Sequence, residues 1–297
     1  MKLYSPATVR LIIDKYKFHF QKSLGQNFLI DGNIVNKIID GVGIGQEDTV
    51  LEIGAGIGTL TRALAEKAGK VIVIELDRKL EPILDETLAG LDNIEICWGN
   101  ALKVNWDQLI KEKTAGEYGL GGKPYKIAAN LPYYITTPLM MHALESHYNV
   151  SRMVVMIQKE VAERLTAVPG TKDYGALTVA VNFYSQPGLV TYVPKTVFIP
   201  QPEVESAVIK LDVLASPPVK VPDESTFFEV VKAAFGQRRK TLANTLGKFS
   251  DTIGKAELIN LLKEVDIDPG RRGETLTLEE FATVANIIFK AKQAINI

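Results

Sequence analysis

Four consecutive residues, Asn130-Leu131-Pro132-Tyr133, have side chains suited to chemistry on an amino group. They follow a short apolar run at 127–129 that predicts a buried parallel strand. The amide oxygen can accept hydrogen bonds from an amino group, the aromatic ring can stack on the planar ring that carries it, and the proline keeps the turn rigid. Holding both amino hydrogens frees the nitrogen lone pair for attack. The tetrad therefore suggests methylation of an exocyclic amine, and a loop turn with a packing tyrosine is the alternative.

A glycine-rich loop upstream of the tetrad has the features of a methyl-donor site. An apolar strand at 50–53, which contains Glu52, is followed at once by a loop with Gly54, Gly56 and Gly58, and together they form the pattern E-x-G-x-G-x-G. Glycines let the backbone turn tightly and approach a ligand closely. Their spacing is tighter than the G-x-G-x-x-G pattern of dinucleotide sites. A tight strand-to-helix connection would use the same residues, so the loop needs support from other positions.

Two polar residues supply that support. A second strand, at 71–74, ends in Glu75, at roughly the spacing where a Rossmann-like unit places its ribose-binding acid. A third strand, at 94–97, leads into Asn100, whose side chain could contact an adenine edge. The glycine loop, the acid and the polar residue together favour S-adenosylmethionine (SAM) over NAD as the cofactor.

The composition fits a soluble enzyme of two domains. The chain has 297 residues, enough for one large α/β domain and a smaller one. No apolar run approaches the about 20 residues of a membrane span, so we expect no membrane association. The single cysteine, Cys97, excludes an internal disulfide, and neither it nor the three histidines has metal-ligand spacing. With a net charge of −1, RNA binding would depend on local basic patches.

The elements that must position these residues alternate between strand and helix from about 31 to 158, which predicts a parallel sheet. Asp31 is the predicted N-cap of the first of these helices. Two further strand-like runs, the first formed by 180–184 with 190–193 and the second by 207–211, are interpreted as the strands that complete a seven-stranded sheet.

A proline-rich linker at 215–218 separates this domain from a helical tail. Two T-x-x-E patterns, at 226–229 and 277–280, predict capping boxes at the starts of tail helices. We therefore predict an N-terminal arm plus an α/β domain over 1–214, and a small all-helical domain over 215–297.

Matching motifs occur in order along nearly the whole chain, at 22–29, 52–61, 130–138, 158–165, 197–206 and 235–242. They resemble the ribosomal RNA adenine dimethyltransferase family, most of all its small-subunit branch. The resemblance implies a Rossmann-like SAM-dependent methyltransferase fold with a helical domain that docks on RNA. It implies dimethylation of two adjacent adenosines near the 3′ end of 16S rRNA, in the small ribosomal subunit or its precursor. We expect a cytoplasmic, monomeric enzyme that uses SAM and no metal.

The resemblance also implies a role for each matching residue. Glu75 would hold the ribose hydroxyls of SAM, and Asn100 stands where the family usually has Asp, so its oxygen can accept a hydrogen bond but carries no charge. The full cofactor set is Asn27, Leu29, Gly54, Gly56, Glu75, Asn100 and Asn130.

For the target base, Asn130 and the Leu131 carbonyl would receive the amino hydrogens. Tyr133 and Phe198 would stack on the two faces of the flipped adenine, with Pro132 completing the catalytic set. The RNA-binding set consists of basic residues in the arm and the tail: Lys22, Arg238, Arg239, Lys240, Arg271 and Arg272.

Two other functions share part of this pattern. A large-subunit rRNA adenine dimethylase of the antibiotic-resistance type would have the same donor site and tetrad but would resemble the tail less. A ribosome-assembly factor could retain the same residues while catalysis is secondary.

Overall fold

The chain folds into two compact units. The computed structural model describes residues 2–21, 24–130 and 132–295. The first unit comprises Met1–Ala162 and Gln186–Val213, and the second comprises Glu163–Ser185 and Leu214–Ile297. None of the helices in the described ranges combines the length and apolarity needed to cross a bilayer.

A seven-stranded sheet forms the centre of the first unit. Its strands are β2 (Thr49–Ile53), β3 (Lys70–Glu75), β4 (Ile94–Trp98), β5 (Tyr125–Asn130), β6 (Val150–Gln158), β7 (Ser185–Val193) and β9 (Ser206–Val213). Their order is β4-β3-β2-β5-β6-β9-β7. The first five pair in parallel, and β9 runs antiparallel to β6. The predicted seven-stranded, Rossmann-like α/β fold is confirmed.

Helices follow the parallel strands, as the crossover connections of such a sheet require. They are α3 (Thr59–Ala65), α4 (Glu81–Thr87), α5 (Trp106–Lys113), α6 (Thr136–Glu145) and α7 (Lys159–Leu165). Two further helices, α1 (Pro6–Lys15) and α2 (Gly32–Val42), precede the parallel strands. All five residues of β2 are buried, which is typical of a parallel strand covered on both faces. The predicted cap of α2 is confirmed, because the Asp31 carboxylate accepts hydrogen bonds from the Asn33 and Ile34 amides at 2.7 and 3.2 Å.

The strand order places four loops at one edge of the sheet. The chain runs outward from β2 to β4 on one side and continues from β5 to β6 on the other, so the order reverses between β2 and β5. At such a reversal the loops after neighbouring strands separate and leave a crevice at the carboxyl ends. The loops that follow β2, β3, β4 and β5 border this crevice.

A two-stranded antiparallel sheet joins the N-terminal arm to a distant segment. It pairs β1 (Phe28–Leu29) with β8 (Phe198–Ile199), with Leu29 opposite Phe198. The Ile30 amide extends the pairing by donating to the Val197 carbonyl at 2.8 Å. Arm residues are therefore fixed relative to the segment that leads into β9.

The second unit is helical in its described part. Its helices are α8 (Ala176–Tyr184), α9 (Glu224–Phe235), α10 (Leu242–Thr245), α11 (Ser250–Ile253), α12 (Lys255–Glu264) and α13 (Leu278–Ile295). Aromatic rings form much of its core: the Phe183 and Phe227 rings stack with centroids 4.6 Å apart, and Phe281 is fully buried. Residues 163–185 belong to this unit, so the division differs from the single boundary expected at 214–215.

Part of one predicted strand is wrong. The apolar run at 180–184 lies in α8, where Val181 and Phe183 are fully buried. A short, continuously apolar run has no periodicity that separates a buried strand from a buried helix. The run adopts a helix because it packs into the aromatic core of the second unit. The runs at 190–193 and 207–211 are strands, in β7 and β9.

One of the two predicted capping boxes is also wrong. The N-cap of α9 is Asp223, whose carboxylate accepts from the Thr226 amide at 2.8 Å, so Thr226 lies inside the helix. Because α9 begins at Glu224, three residues before the start that the capping box predicted, Phe227 lies in the first turn of the helix, where its side chain is buried. At the start of α13, the Thr277 hydroxyl accepts from the Glu280 amide and the Glu280 carboxylate accepts from the Thr277 amide, which confirms the second box.

Candidate active site

A cavity of about 210 Å³ lies at the carboxyl ends of β2 to β5. It is lined by arm residues, by the glycine loop after β2, by the residues that follow β3 and β4, and by the tetrad. Ten of the residues that line it were predicted from sequence: Asn27, Leu29, Gly54, Gly56, Glu75, Asn100, Asn130, Pro132, Tyr133 and Phe198. Leu131 lies outside the described residues.

The glycine loop takes a backbone shape that other residues adopt only under strain. Gly54 and Gly56 have φ angles of 79° and 56°, in the left-handed region. A Cβ on Gly54 would meet nothing within 4 Å, so this position leaves open space beside the cavity. A Cβ on Gly56 would lie 3.3 Å from the Phe28 ring. The first glycine thus leaves room for a ligand, and the second lets the arm pack against the loop.

Backbone amides hold the Glu75 carboxylate in place. Its Oε1 accepts from the amides of Leu76 and Asp77 at 2.7 and 2.8 Å, and its Oε2 accepts from the Gly56 amide at 3.2 Å. Burial raises the pKa of this carboxyl, and the three amides counteract part of that shift. Carboxylate oxygens have several lone pairs, so Glu75 can still accept from two vicinal hydroxyls in the cavity.

Asn100 uses its side chain partly for local structure. Its Oδ1 accepts from the Leu102 amide at 3.0 Å and caps a short helical turn. A carbonyl oxygen has a second lone pair, which remains for a ligand. Two leucines that line the same part of the cavity, Leu76 and Leu102, are 51% and 36% exposed. Such exposed apolar side chains beside polar ones suit a planar aromatic ring.

Those two leucines were missed at the sequence level. Leu76 directly follows Glu75, and Leu102 lies two residues after Asn100. A leucine one or two residues after each of the predicted polar residues, Glu75 and Asn100, is the signal that could have identified them.

Glu52 was also missed, although it opens the E-x-G-x-G-x-G pattern. It is completely buried at the cavity wall, and neither carboxylate oxygen has a well-formed hydrogen bond within the described residues. Burial raises the pKa of its carboxyl to about 8, the neighbouring Thr61 hydroxyl lowers it only in part, and the negative charge of Glu75 raises it further. A buried acid without a partner at the wall of a cavity is suited to a cationic or hydrogen-donating ligand.

The amide of Asn130 has a defined orientation. Its Nδ2 donates to the Asn27 carbonyl at 3.3 Å, and the Asn27 side chain in turn donates to the Gly25 carbonyl at 3.0 Å. A Cβ on Gly25 would lie 3.2 Å from Pro132, so the arm and the tetrad are in close contact. With the NH₂ group engaged by the arm, the Asn130 oxygen is available to accept hydrogen bonds from a substrate.

The arm itself is held by a buried carboxylate. Gln21 and Gln26 donate side-chain hydrogen bonds to the same Asp77 oxygen at 3.0 and 2.7 Å, and the Gln21 amide donates to the Gln26 side chain. Asp77 is 6% exposed and follows Glu75 by two residues. The segment that covers the cavity is therefore fastened to the loop that holds Glu75.

Two aromatic residues predicted to stack on a base line the same cavity. Phe198 is 2% exposed and lies in β8. Tyr133 is half-buried, and its hydroxyl forms a 2.6 Å hydrogen bond with the Ser206 hydroxyl. Burial raises the pKa of the Tyr133 phenol, with the Ser206 hydrogen bond opposing, so the ring stays neutral near neutral pH. No described cluster of histidine, cysteine or acidic side chains has the arrangement of a metal site.

The predicted RNA-binding residues fall into two groups. Arg238 contacts Glu274 at 3.3 Å and donates to the Lys172 and Tyr174 carbonyls. Arg271 pairs with Glu280, which raises the pKa of the guanidinium and lowers that of the carboxyl. Both arginines therefore have structural partners.

The other three predicted RNA-binding residues of the tail, Arg239, Lys240 and Arg272, are exposed. These three residues, named the basic cluster below, lie on two segments that are joined by a hydrogen bond from the Leu242 amide to the Arg271 carbonyl at 2.8 Å. Lys22 lies outside the described residues.

Comparison with known proteins gives a consistent result. The family model described as ribosomal RNA adenine dimethylase matches residues 17–290. The chain is 53% identical over 283 residues to the ribosomal RNA small subunit methyltransferase A of Alkaliphilus metalliredigens, covering 95% of this chain and 96% of that protein. It is 50% identical over 287 residues to the protein of that name from Clostridioides difficile, covering 97% of each.

Two solved structures share the fold over most of the chain. A dimethyladenosine transferase from Plasmodium falciparum is 27% identical with a TM-score of 0.70, over 86% of this chain and 95% of that one. The 23S rRNA methyltransferase ErmE is 23% identical with a TM-score of 0.67, over 88% of this chain and 99% of that one. At that identity, the second comparison shows the fold alone.

Proposed function

The chain belongs to the ribosomal RNA adenine dimethylase family, and from this we propose that it dimethylates the exocyclic amino groups of two adjacent adenosines near the 3′ end of 16S rRNA. The substrate would be the small ribosomal subunit or its precursor, and the enzyme would act as a cytoplasmic monomer. The relatives that share about half of their residues with this chain are named small-subunit methyltransferases, which supports this substrate. The observation that carries the proposal is the Asn130 amide, whose oxygen is left to accept hydrogen bonds beside two aromatic rings.

The cavity fits SAM as the methyl donor. Gly54 leaves open space beside the cavity, Glu75 presents acceptors for ribose hydroxyls, and Leu76 and Leu102 suit the faces of an adenine. The unpartnered Glu52 carboxyl would match a cationic or donor group of the methionine end. When bound, SAM supplies an electrophilic methyl group on a positively charged sulfur.

The tetrad would orient the target nitrogen. The Asn130 oxygen and the Leu131 carbonyl would each accept one amino hydrogen, which favours a pyramidal nitrogen with its lone pair directed at the donor. Tyr133 and Phe198 would stack on the flipped adenine, each at roughly 1–3 kcal/mol, which offsets part of the few kcal/mol needed to extrude the base.

The residues around the cavity provide positioning and exclusion of water rather than a strong base. The titratable side chains among its described lining residues are Glu52, Glu75, Tyr133 and Tyr134. Glu75 is held by three amides, and the Tyr133 hydroxyl is engaged by Ser206. No base is required, because the amine becomes acidic once it is methylated and releases its proton to solvent.

The basic cluster Arg239, Lys240 and Arg272 is proposed to contact RNA phosphates. The three side chains are exposed, and their charges are not neutralised by ion pairs in the described part of the chain. A local patch of this kind can bind a polyanion despite the overall charge of −1.

The proposal is tested by methyl transfer from labelled SAM to purified small subunits that lack the modification, with large subunits in parallel and the modified nucleotide mapped. Dimethyladenosine near the 3′ end of the small-subunit rRNA is the expected product. Label confined to the large subunit would move the chain to the antibiotic-resistance type. SAM binding without transfer to either subunit would favour a ribosome-assembly role.

A further inference from the structure

The hydroxyl of Tyr133 is bound to a residue that has no part in the proposed reaction. Ser206 is fully buried, and its hydroxyl lies 2.6 Å from the Tyr133 hydroxyl. This short hydrogen bond joins residues 73 positions apart in the chain. A buried hydroxyl needs a hydrogen-bond partner, so each group satisfies the other.

The sheet topology explains why Ser206 lies at this edge. Asn130, at the end of β5, lies opposite Met156 of the parallel strand β6, which ends two residues later at Gln158. β9 is antiparallel to β6, with Ser206 opposite Gln158. The first residue of β9 therefore lies beside the last residues of the parallel strands, where the tetrad begins.

Ser206 also belongs to the segment that carries the other ring. Phe198 lies in β8, paired with Leu29 of the arm, and the chain reaches Ser206 after a loop of six residues that contains Pro200 and Pro202. This segment is anchored at its start by β8 and at its end by β9. The Phe198 ring is thus connected to the Tyr133 ring by the backbone from 198 to 206 and the hydrogen bond from Ser206 to Tyr133.

We propose that Ser206 is a positioning residue, which fixes the ring of Tyr133 relative to Phe198 and so sets the width of the slot that receives the target base. The inference rests on the proposed function, because the slot matters only if a base enters it. Without the hydrogen bond, the Tyr133 ring can turn about its side-chain bonds and the slot no longer has one width. Fewer bound bases would then lie in the reactive position, and the transfer step would slow.

The test is a double-mutant cycle on methyl transfer to small subunits, with kcat, KM and SAM affinity measured for each variant. Tyr133→Phe and Ser206→Ala remove the same hydrogen bond from its two sides, so each lowers kcat by about 5- to 10-fold, and the double variant is no slower than the slower single one. SAM affinity is unchanged. Ser206→Thr, which keeps a hydroxyl, restores most of the rate.

Ser185→Ala is the matched control. Ser185 is also buried, its hydroxyl donates to the Val181 carbonyl at 2.9 Å, and neither residue is among those that line the cavity. This variant keeps the wild-type kcat even if it loses some stability, which separates positioning from a general effect of removing a buried hydroxyl.

Two results would overturn the inference while leaving the proposed function intact: a wild-type kcat for Tyr133→Phe, or single effects that multiply in the double variant. If Ser206→Ala does not fold, Tyr133→Phe decides alone, since it breaks the same bond from the partly exposed side. A wild-type protein that transfers no methyl group to small subunits would overturn the proposed function and this inference together.

Discussion

The two sides of the cavity are built in different ways. The side proposed to bind SAM, called the donor side, consists of Gly54, Gly56, Glu75 and Asn100, and it is held mainly by backbone close in sequence. The Glu75 carboxylate accepts from the amides of the next two residues, Leu76 and Asp77, and the Asn100 side chain accepts from the Leu102 amide. A site held by local backbone can be recognised from a short stretch of sequence.

The side proposed to bind the target base, called the target side, consists of Asn130, Tyr133 and Phe198, and residues distant in sequence hold it. The Asn130 amide donates to a carbonyl 103 positions away, and the Tyr133 hydroxyl bonds to Ser206, 73 positions away. Its orientation therefore depends on the fold of the whole first unit. The comparison predicts that changes on the donor side alter SAM binding and that changes on the target side alter the transfer rate.

The largest expected effect is on stability, at the buried acid of the donor side. Glu52 has an unfolded pKa near 4.5 and a folded pKa of about 8, so between these values the unfolded chain loses a proton that the folded chain keeps. Below about pH 4.5 the carboxyl is protonated in both states, so its ionisation does not change the free energy of unfolding. As the pH rises, this burial of an ionisable group lowers the free energy of unfolding by an amount that reaches about 5 kcal/mol above pH 8. The free energy of unfolding of Glu52→Gln, measured in urea without SAM, should therefore equal that of the wild type at pH 4 and be markedly higher at pH 9.

Glu47→Gln, at an exposed position just before β2, is the control and should show no such dependence. An equal difference between Glu52→Gln and the wild type at both pH values would contradict the raised pKa.

On the target side, Asn130→Ala removes the acceptor that orients the amine. The transfer rate should fall by about 100- to 1,000-fold, as for other losses of an oriented hydrogen-bond partner in the transition state. SAM affinity should fall far less. Single-turnover transfer and calorimetry check the two quantities, and Asn286→Ala, at an exposed amide of α13, controls for the chemical change. A rate within tenfold of wild type would remove Asn130 from the proposed mechanism.

Glu75→Ala tests the donor side in the same assays. Losing a charged acceptor for two ribose hydroxyls should weaken SAM binding by about 100-fold. At saturating SAM, the rate should recover to near the wild-type value. Glu145→Ala, at an exposed position in α6, should bind SAM normally. Intact affinity in the Glu75 variant would contradict the ribose role.

Tyr133→Ala removes one stacking face from the target side. The rate should fall by about 10- to 100-fold, while SAM affinity remains near wild type. Tyr192→Ala removes a half-exposed ring on β7 that does not line the cavity, and it should keep the wild-type rate. A loss of SAM affinity equal to the loss of rate would abolish the distinction between the two sides.

The smallest expected effect is on RNA affinity, at residues that belong to neither the donor side nor the target side of the cavity. Reversing Arg239, Lys240 and Arg272 to Glu should weaken RNA binding by about tenfold. The salt dependence of binding should fall by roughly one counterion for each RNA phosphate that the protein no longer neutralises. The matched control reverses three exposed lysines of the same unit, Lys232, Lys263 and Lys290. If both triple variants lose affinity equally, net charge rather than a docking surface explains the effect.

The sequence predicted local features well and long-range ones poorly. Asp31 as a helix cap and the T-x-x-E box at 277–280 were correct, because each involves residues within one helical turn. The run at 180–184 was assigned to a strand, because its apolar pattern fits both structures and only packing against Phe227 selects the helix. Glu52 and Ser206 were not recognised, since nothing near them in sequence shows that Glu52 is buried at the cavity wall or that Ser206 is buried against the Tyr133 hydroxyl.

The sequence by itself determined the α/β class, the donor loop with Glu75 and the chemistry available to the tetrad, because these depend on residue type, periodicity and short spacing. The tertiary structure decided how these groups are oriented. It directs the Asn130 oxygen away from the arm, ties the Tyr133 hydroxyl to Ser206, and separates the paired Arg238 and Arg271 from the exposed basic cluster. The physical reason is that each orientation comes from a contact between distant segments, and such contacts exist only once the chain has packed.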